Sequence, residues 1–408
     1  MKEIIIRYNP WWHTGKISEE KTGIRRSRYL NQILSFMDSP EIIKIVGVRR
    51  SGKTTLIFQL IDFLLKKGVD PKNICYVQMD DEEFSFYDKN KLIKQVIDEY
   101  QEICEKNIEK DRIYFLFDEI QYIDTWPGWL KTYYDNFKNV KFIVSGSSST
   151  LIDKDSVEKL SGRQIDFMIQ TLSFREFLEF NNIEIKFQNG LFDVSLEDIE
   201  KNIEFAAEKN ELRVLLKRYL ETGGFPNVVF LEDEKRRIIL KQYFRDIVYR
   251  DIIRVFKIRD AELLDSMFLK TFLYYEVNYY STALKSTIRK AKKIYCADIG
   301  LRNAIITERD EGEAVENVVF RHLILSYDKI YYWDNKYECD FIVKTYENIM
   351  PIEVKYSDDP KRINGLLEFM ENFGVKRGIV VTKDILKKEK FSDCEVLFIP
   401  LRIFLLLF

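Results

Sequence analysis

Eight consecutive residues, Gly47, Val48, Arg49, Arg50, Ser51, Gly52, Lys53 and Thr54, satisfy the spacing GxxxxGK[ST]. That spacing suits a phosphate chain. Glycines let backbone N–H groups close around a β-phosphate, and a helix starting at the end of the loop adds partial positive charge there. A lysine at position 53 reaches the β- and γ-phosphates, and a hydroxyl at position 54 ligates Mg²⁺. With Thr55 these residues form the expected nucleotide site, and ATP and Mg²⁺ are the expected ligands.

A hydrolytic partner follows further along. Residues 114–117 (YFLF) are apolar and run into Asp118 and Glu119. A buried strand ending in acid sets Asp118 beside the loop as a ligand of the metal shell. The adjacent Glu119 carboxylate can polarise water for attack on the γ-phosphate, which phosphoryl transfer to a metabolite does not need. Ser147, after the strand pattern at residues 141–145, stands where a γ-phosphate sensor sits in such a sheet; a plain serine-rich turn is the other reading. Arg163 reads as an arginine finger in cis or in trans, or as half of a surface ion pair.

A second acidic constellation lies near the C-terminus. Asp340 opens one strand pattern, Glu353 and Lys355 end the next, and Glu316 lies on the preceding helix pattern. This resembles the PD-(D/E)xK nuclease pattern. In that geometry Asp340 and Glu353 share a Mg²⁺, Glu316 completes the shell and Lys355 orients the attacking water; hard cations take carboxylate oxygens. The other reading is a relic module whose carboxylates are solvated or paired with lysines.

These residues need elements to hold them. From residue 41, short apolar runs alternate with amphipathic helices, the pattern of a parallel sheet covered on both faces. Strands are predicted at 42–46, 74–79, 112–117 and 141–145, with helices at 54–67, 92–104 and around 129–137. A strand at 165–170 and a helix at 174–180 follow. Residues 196–265 read as mainly helical, interrupted at Gly223, Gly224, Phe225 and Pro226. Strand patterns return at 330–333, 340–343, 349–354, 378–382 and 396–399, with helices at 314–326 and 361–373. The expected fold is α/β: a P-loop NTPase parallel sheet, a helical middle domain and a C-terminal restriction-endonuclease-like α/β module. The expected segments are an N-terminal arm (1–40), a P-loop ATPase domain (41–182), a mainly helical domain (183–305) and the nuclease-like module (306–408). The tryptophans at 11 and 12 are expected to anchor the arm to the first domain.

Composition narrows the classes. The basic and acidic totals, 64 and 66, nearly cancel, so nucleic-acid binding must rest on local patches. One such patch is the stretch 235–259, where nine basic residues face two acidic ones; a solvated basic face over an aromatic stripe is the competing reading. The five cysteines are scattered and only two histidines occur, His13 and His322. Disulfide frameworks, zinc sites and histidine-based hydrolases are therefore disfavoured. No apolar run is long enough for a signal peptide or a membrane span, so a cytoplasmic location without membrane partners is expected.

Nearly the whole chain resembles a group of archaeal and bacterial AAA-like P-loop ATPases. The resemblance is carried by residues 47–55 (GVRRSGKTT), 117–120 (FDEI), 145–147 (SGS), 160–163 (LSGR), 172–177 (LSFREF), 223–226 (GGFP), 244–251 (FRDIVYRD) and 293–301 (KIYCADIGL). It implies an ATPase core, a helical middle and a C-terminal module of the nuclease-like class. In one respect the chain departs from it. Relatives carry a winged-helix unit before the KIYCAD-like strand, whereas residues 264–275 leave most of a helix-turn-helix missing. Two readings follow. One is an ATPase–nuclease acting on nucleic acid through the C-terminal module and the basic helix. The other is an ATP-dependent regulatory switch or partner-binding protein, open to homo-oligomer formation, whose nuclease-like module is inert.

Overall fold

The computed structural model describes residues 1–146, 158–186, 188–203, 209–248, 273–282, 290–306, 310–357, 359–360 and 362–408. The chain forms two compact units, residues 1–170 with 247–272 and residues 171–246 with 273–408.

The first unit is built on five parallel strands: β1 (Ile42–Val46), β2 (Ile74–Gln78), β3 (Ile113–Asp118), β4 (Val140–Gly146) and β5 (Gln164–Met168). Their order is β2-β3-β4-β1-β5. Every residue of β1, β3 and β4 is buried, which is why these runs are mostly apolar on both faces instead of alternating; the exceptions are buried as well, Lys44, Lys141, Ser145 and Asp118. Helices α3 (Lys53–Lys66), α4 (Leu92–Cys104) and α5 (Trp126–Asn136) are the crossovers. Helices α1 (Lys2–Tyr8) and α2 (Ser27–Leu34) precede the sheet, with two four-residue helices, Trp11–Thr14 and Glu19–Thr22, between them.

The N-terminal arm closes one sheet edge. Strand β2 is at that edge, and its free backbone groups need partners. Asn9 provides two of them: its Oδ1 accepts from Tyr76 N (2.7 Å) and its Nδ2 donates to Tyr76 O (2.8 Å). The indoles of Trp11 and Trp12 both donate to Ile74 O, at 3.1 and 2.8 Å. The tryptophan pair is thus an edge seal.

The second unit holds an eight-stranded mixed sheet. Its strands are β6 (Tyr274–Tyr279), β7 (Lys293–Cys296), β8 (Ile330–Asp334), β9 (Glu338–Lys344), β10 (Ile349–Lys355), β11 (Arg377–Thr382), β12 (Lys387–Phe391) and β13 (Cys394–Pro400). The order is β12-β13-β11-β10-β9-β8-β6-β7. The described α-helices of this unit are α6 (Phe174–Phe180), α7 (Leu196–Ile203), α8 (Lys209–Thr222), α9 (Asp233–Asp246), α10 (Ile299–Ile305) and α11 (Glu311–Leu323), with α12 (Asn364–Phe373) after the central strands and the short α13 (Leu401–Phe404) after β13. Phe174, Phe177 and Tyr219 share one apolar core with Phe320, Phe341 and Ile352. The helices after residue 171 therefore pack with the C-terminal sheet in one unit, where the sequence reading set a helical domain apart.

Two motifs of the resemblance turn out to hold each other. Gly223 has φ 71°, and a Cβ there would stand 2.2 Å from Asp298 Oδ1. Asp298 accepts from Gly224 N (2.7 Å) and, as the N-cap of α10, from Leu301 N (3.0 Å). Burial pushes its carboxyl above the usual carboxylate range, against these two donors. Residues 223–226 and 297–301 thus form a packing joint.

Candidate functional site

The loop between β1 and α3 has the strand–loop–helix setting and glycine-hinged backbone that the spacing predicts. Gly47 has φ 150°, and a Cβ on it would lie 2.0 Å from Ile169 O. No other residue fits that close approach. Gly52 has φ 99° and caps the start of α3. Between them Arg50 also takes a left-handed conformation, φ 67°. The buried Lys53 turns its ammonium onto its own loop, donating to Gly47 O (3.0 Å) and Val48 O (3.1 Å).

Asp118 ends β3 and is buried. Its Oδ2 accepts from Thr54 Oγ1 (2.7 Å) and from the Tyr76 hydroxyl (3.1 Å). Its Oδ1 accepts from Ser145 Oγ on β4 and from Glu119 N (3.1 Å). Burial, followed by the neighbouring Glu119 charge, pushes the Asp118 carboxyl above its usual range, while the bonds from Ser145 and Thr54 work the other way. Since β4 lies between β3 and β1 in the sheet, Ser145 bridges the acid to the loop strand. Glu119 has φ 51°, a strained turn that lifts its side chain off the strand line. Its Oε2 accepts from Gln121 Nε2.

Three residues around this site have no sequence signal. Arg26, only 2% exposed, donates from one guanidinium nitrogen to Ser51 O (2.7 Å) and Gln170 O (3.0 Å). Its guanidinium also lies 4.6 Å over the Tyr29 ring. It therefore pins the phosphate loop from beneath. Tyr76 reaches Asp118 from the next strand, and Asp80, just past β2, carries a carboxyl raised by burial and by the Glu119 charge.

Of the readings open to Arg163, the structure shows the surface ion pair. It immediately precedes β5, its carbonyl accepts from Ile42 N (2.7 Å), and Ile42 starts β1. The loop follows the opposite end of β1, and five strand residues at about 3.3 Å each put roughly 16 Å between them. Arg163 instead pairs with Asp135, Nε to Oδ1 2.8 Å. An arginine finger in cis is ruled out by this placement. Ser147 and residues 249–259 of the basic stretch lie outside the described residues, as do residues 264–272 of the shortened winged-helix region. The described part of the stretch includes α9, where Arg236 is buried against Asp233 and Leu231 O.

The second constellation gathers in the C-terminal sheet. Glu353 and Lys355 share a face of β10, as the strand period of two requires, and pair at 2.6 Å. Asp340 Oδ2 accepts from Val354 N (2.7 Å). Nearby, the β8–β9 pairing shifts register between Tyr331 and Trp333, and such irregularities re-aim side chains beside functional sites. Glu316, on α11, accepts from the Tyr295 hydroxyl (2.5 Å). Burial and the neighbouring Glu316 charge raise Asp340 to about 6; burial and the Asp340 charge raise Glu353 to about 8. A residue missed in the sequence, Lys293 of β7, stands among them: its ammonium is 3.0 Å from Glu316 Oε1, 3.6 Å from Asp340 Oδ1, and in contact with Glu338. Among the described residues no group of three or more His, Cys, Asp or Glu side chains is arranged to hold a metal ion. The carboxylates surround an ammonium instead. No described helix is long and apolar enough to cross a membrane.

Residues 39–178 match the family model of an AAA domain, and residues 213–271 and 311–404 match models of two domains of unknown function. An uncharacterised protein of Haemophilus influenzae is 26% identical, the match covering 93% of this chain and 98% of that protein. An uncharacterised protein of Methanocaldococcus jannaschii is 28% identical, covering 91% and 85%. Among solved structures, the Walker-type ATPase of Pyrococcus abyssi is 16% identical at a TM-score of 0.34, covering 69% of this chain and 95% of that one. AMPPCP-bound DnaA from Aquifex aeolicus is 16% identical at 0.28, covering 63% and 91%. The AAA match, on the residues that carry the loop and the acid strand, supports an AAA-like ATPase domain that binds ATP.

Proposed function

We propose that the chain is a Mg-dependent ATPase whose C-terminal sheet is a nuclease-like module acting on nucleic acid. The hydrogen bond between Thr54 and Asp118, 2.7 Å long at the mouth of the phosphate loop, carries the ATPase reading. A hydroxyl and a carboxylate in contact are the hard oxygen donors Mg²⁺ takes, directly or through water, so the residues fit that ion. Once bound there, Mg²⁺ would offset charge on the β- and γ-phosphate oxygens.

The residues divide the remaining work. Lys53 would exchange the carbonyls of Gly47 and Val48 for phosphate oxygens, with backbone N–H groups of Val48, Arg49, Arg50 and Gly52 about the same phosphates, while the Ser51 N–H closes the loop on Val48 O at 3.2 Å. Glu119 accepts a proton from water as the water oxygen attacks the γ-phosphorus and ADP departs. Gln121 holds the Glu119 carboxylate for this task. Ser147 would report the γ-phosphate, and Arg163 would contribute only in trans, from a second copy of the chain.

The nuclease-like part rests on the grouping of Asp340, Glu353, Lys355 and Glu316. These are carboxylates suited to a hard divalent ion, with a lysine to orient water. Nucleic acid would reach them through the basic stretch 235–259. A second reading is favoured by Lys293, which already neutralises part of that cluster: ATP occupancy would switch a partner-binding protein whose module is inert.

One experiment separates the two. ATP turnover is measured together with cleavage of DNA and RNA under Mg²⁺ or Mn²⁺, with and without ATP. Metal-dependent cleavage that Asp340→Ala abolishes, with ATP turnover nearly unchanged, supports the first reading. Turnover without cleavage on any substrate supports the switch. No turnover and no ATP binding would end both.

A further inference from the structure

We infer that the Lys293 ammonium is the resident cation of the C-terminal carboxylate cluster, seated where a divalent ion must go, so that metal enters only by displacing it. The inference rests on reading that cluster as a cation site, but not on its cleaving anything.

The geometry makes Lys293 more than a surface ion-pair partner. One ammonium serves carboxylates from two different elements, Glu316 of α11 and both Glu338 and Asp340 of β9. It reaches them from β7, a strand outside the two that carry the motif. Its side chain is 23% exposed, and Tyr295, two residues along β7 and so on the same face, bonds the same Glu316 oxygen at 2.5 Å. An ammonium has three donors and no preferred coordination shell; here it donates to Glu316 Oε1 at 3.0 Å, touches Glu338 and lies 3.6 Å from Asp340 Oδ1, so its charge is shared by three carboxylates much as a small cation's would be.

A second observation shows the cluster is still short of positive charge. Glu353, 3% exposed, has its Oε1 on Lys355, while its Oε2 is buried with no hydrogen-bond partner among the described residues. Four carboxylates, Glu316, Glu338, Asp340 and Glu353, face two ammoniums, Lys293 and Lys355. With every group ionised the carboxylates outnumber the ammoniums by two, and burial with this crowding is what raises Asp340 and Glu353 above the usual carboxylate range; the unpartnered Glu353 Oε2 is left for a ligand that brings positive charge. Mg²⁺ and Ca²⁺ need their oxygens at roughly 2.0–2.6 Å. Such an ion cannot draw on Glu316 and Asp340 while Lys293 stands between them.

The test is Mn²⁺ binding to the full chain without nucleotide, read by the electron paramagnetic resonance of free Mn²⁺. Lys293→Met keeps the stem and removes the charge. It should bind one Mn²⁺ at least tenfold more tightly than the parent, and Asp340→Asn in the same background should remove that gain. Equal or weaker Mn²⁺ binding by Lys293→Met overturns the inference, because a lysine with a merely structural role would lower stability without opening a metal site. Should Lys293→Met lose its near-ultraviolet circular dichroism, Lys293→Gln, which retains a donor to Glu316, is read by the same criterion. Neither ATP turnover nor cleavage enters the readout, so an inert nuclease leaves this result intact and separable.

Discussion

Replacing Arg26 by Met should loosen the phosphate loop without touching any residue of the loop. The methionine keeps most of the volume and removes every donor. Two buried carbonyls, Ser51 O and Gln170 O, then lose a charged partner at 2.7 and 3.0 Å. Each unsatisfied acceptor costs about 1–3 kcal/mol, and the contact with Tyr29 at 4.6 Å adds about 0.5–2 kcal/mol when desolvated. Relief of the buried charge offsets part of this, leaving a net loss of about 3 kcal/mol. For a unit of this size about 2–4 °C of Tm goes with each kcal/mol, so the transition should fall by about 6–12 °C. Because Ser51 belongs to the loop, ATP affinity should fall as well, by about tenfold or 1.4 kcal/mol. Calorimetry of the parent and variant, with a fluorescent ATP analogue titrated into each, reads both effects. A Tm within about 2 °C of the parent, together with unchanged affinity, would refute the claim that Arg26 holds the loop.

Other expectations follow the same logic. Lys53→Ala should weaken ATP–Mg²⁺ binding at least about tenfold, roughly 1.4 kcal/mol; equal affinity in a titration would remove the nucleotide site from this loop. Gly47→Ala places a methyl 2.0 Å from Ile169 O, which forces β1 and β5 apart, so both Tm and ATP binding should drop; an unperturbed Tm would contradict the close approach. Asp298→Ala strips the N–H groups of Gly224 and Leu301 of their acceptor and should cost about 2–4 kcal/mol. Its effect should appear in chemical denaturation while ATP affinity stays at the parent value, and a nucleotide-binding defect would assign the GGFP joint a role beyond packing.

How much of this was legible depended on burial. Strands β1 to β4 could be found within a residue or two because strands buried on both faces read as short, mostly apolar runs between helices. Helix α4 could be read to the residue from its apolar stripe. Strand β12, with the sequence KKEKF, was missed, since an edge strand paired only with β13 carries charge where a core strand cannot. The loop, Asp118 and Glu119 announce themselves because chemistry fixes their spacing along the chain. Arg26, Tyr76 and Lys293 do not, because what matters about them is a contact across 25 residues or more in the first case and 42 in the second, and 23 or more in the third. A buried arginine and a strand-start lysine look, in sequence, like solvated charges. For Arg163 the ion-pair alternative is the one seen, with Asp135: its place after a glycine suggested a finger, yet strand polarity sets it at the opposite end of β1 from the loop. The described part of the segment read as helical carries helices α7 to α9, but the domain expected at 183–305 also holds strands β6 and β7, and the apolar faces of Phe174, Phe177 and Tyr219 do not say which sheet they cover.

The central claim is that Glu119 is the base of an ATP-hydrolysing site organised by Thr54 and Asp118. Glu119→Gln keeps shape and a hydrogen-bonding end for Gln121 while removing the charge that accepts a proton. Phosphate release and ATP affinity measured on this variant test the claim directly. The account predicts affinity within about twofold of the parent and turnover lowered by about 10² or more. Phosphate release at the parental rate, with ATP still bound, would contradict it and move the base to another residue.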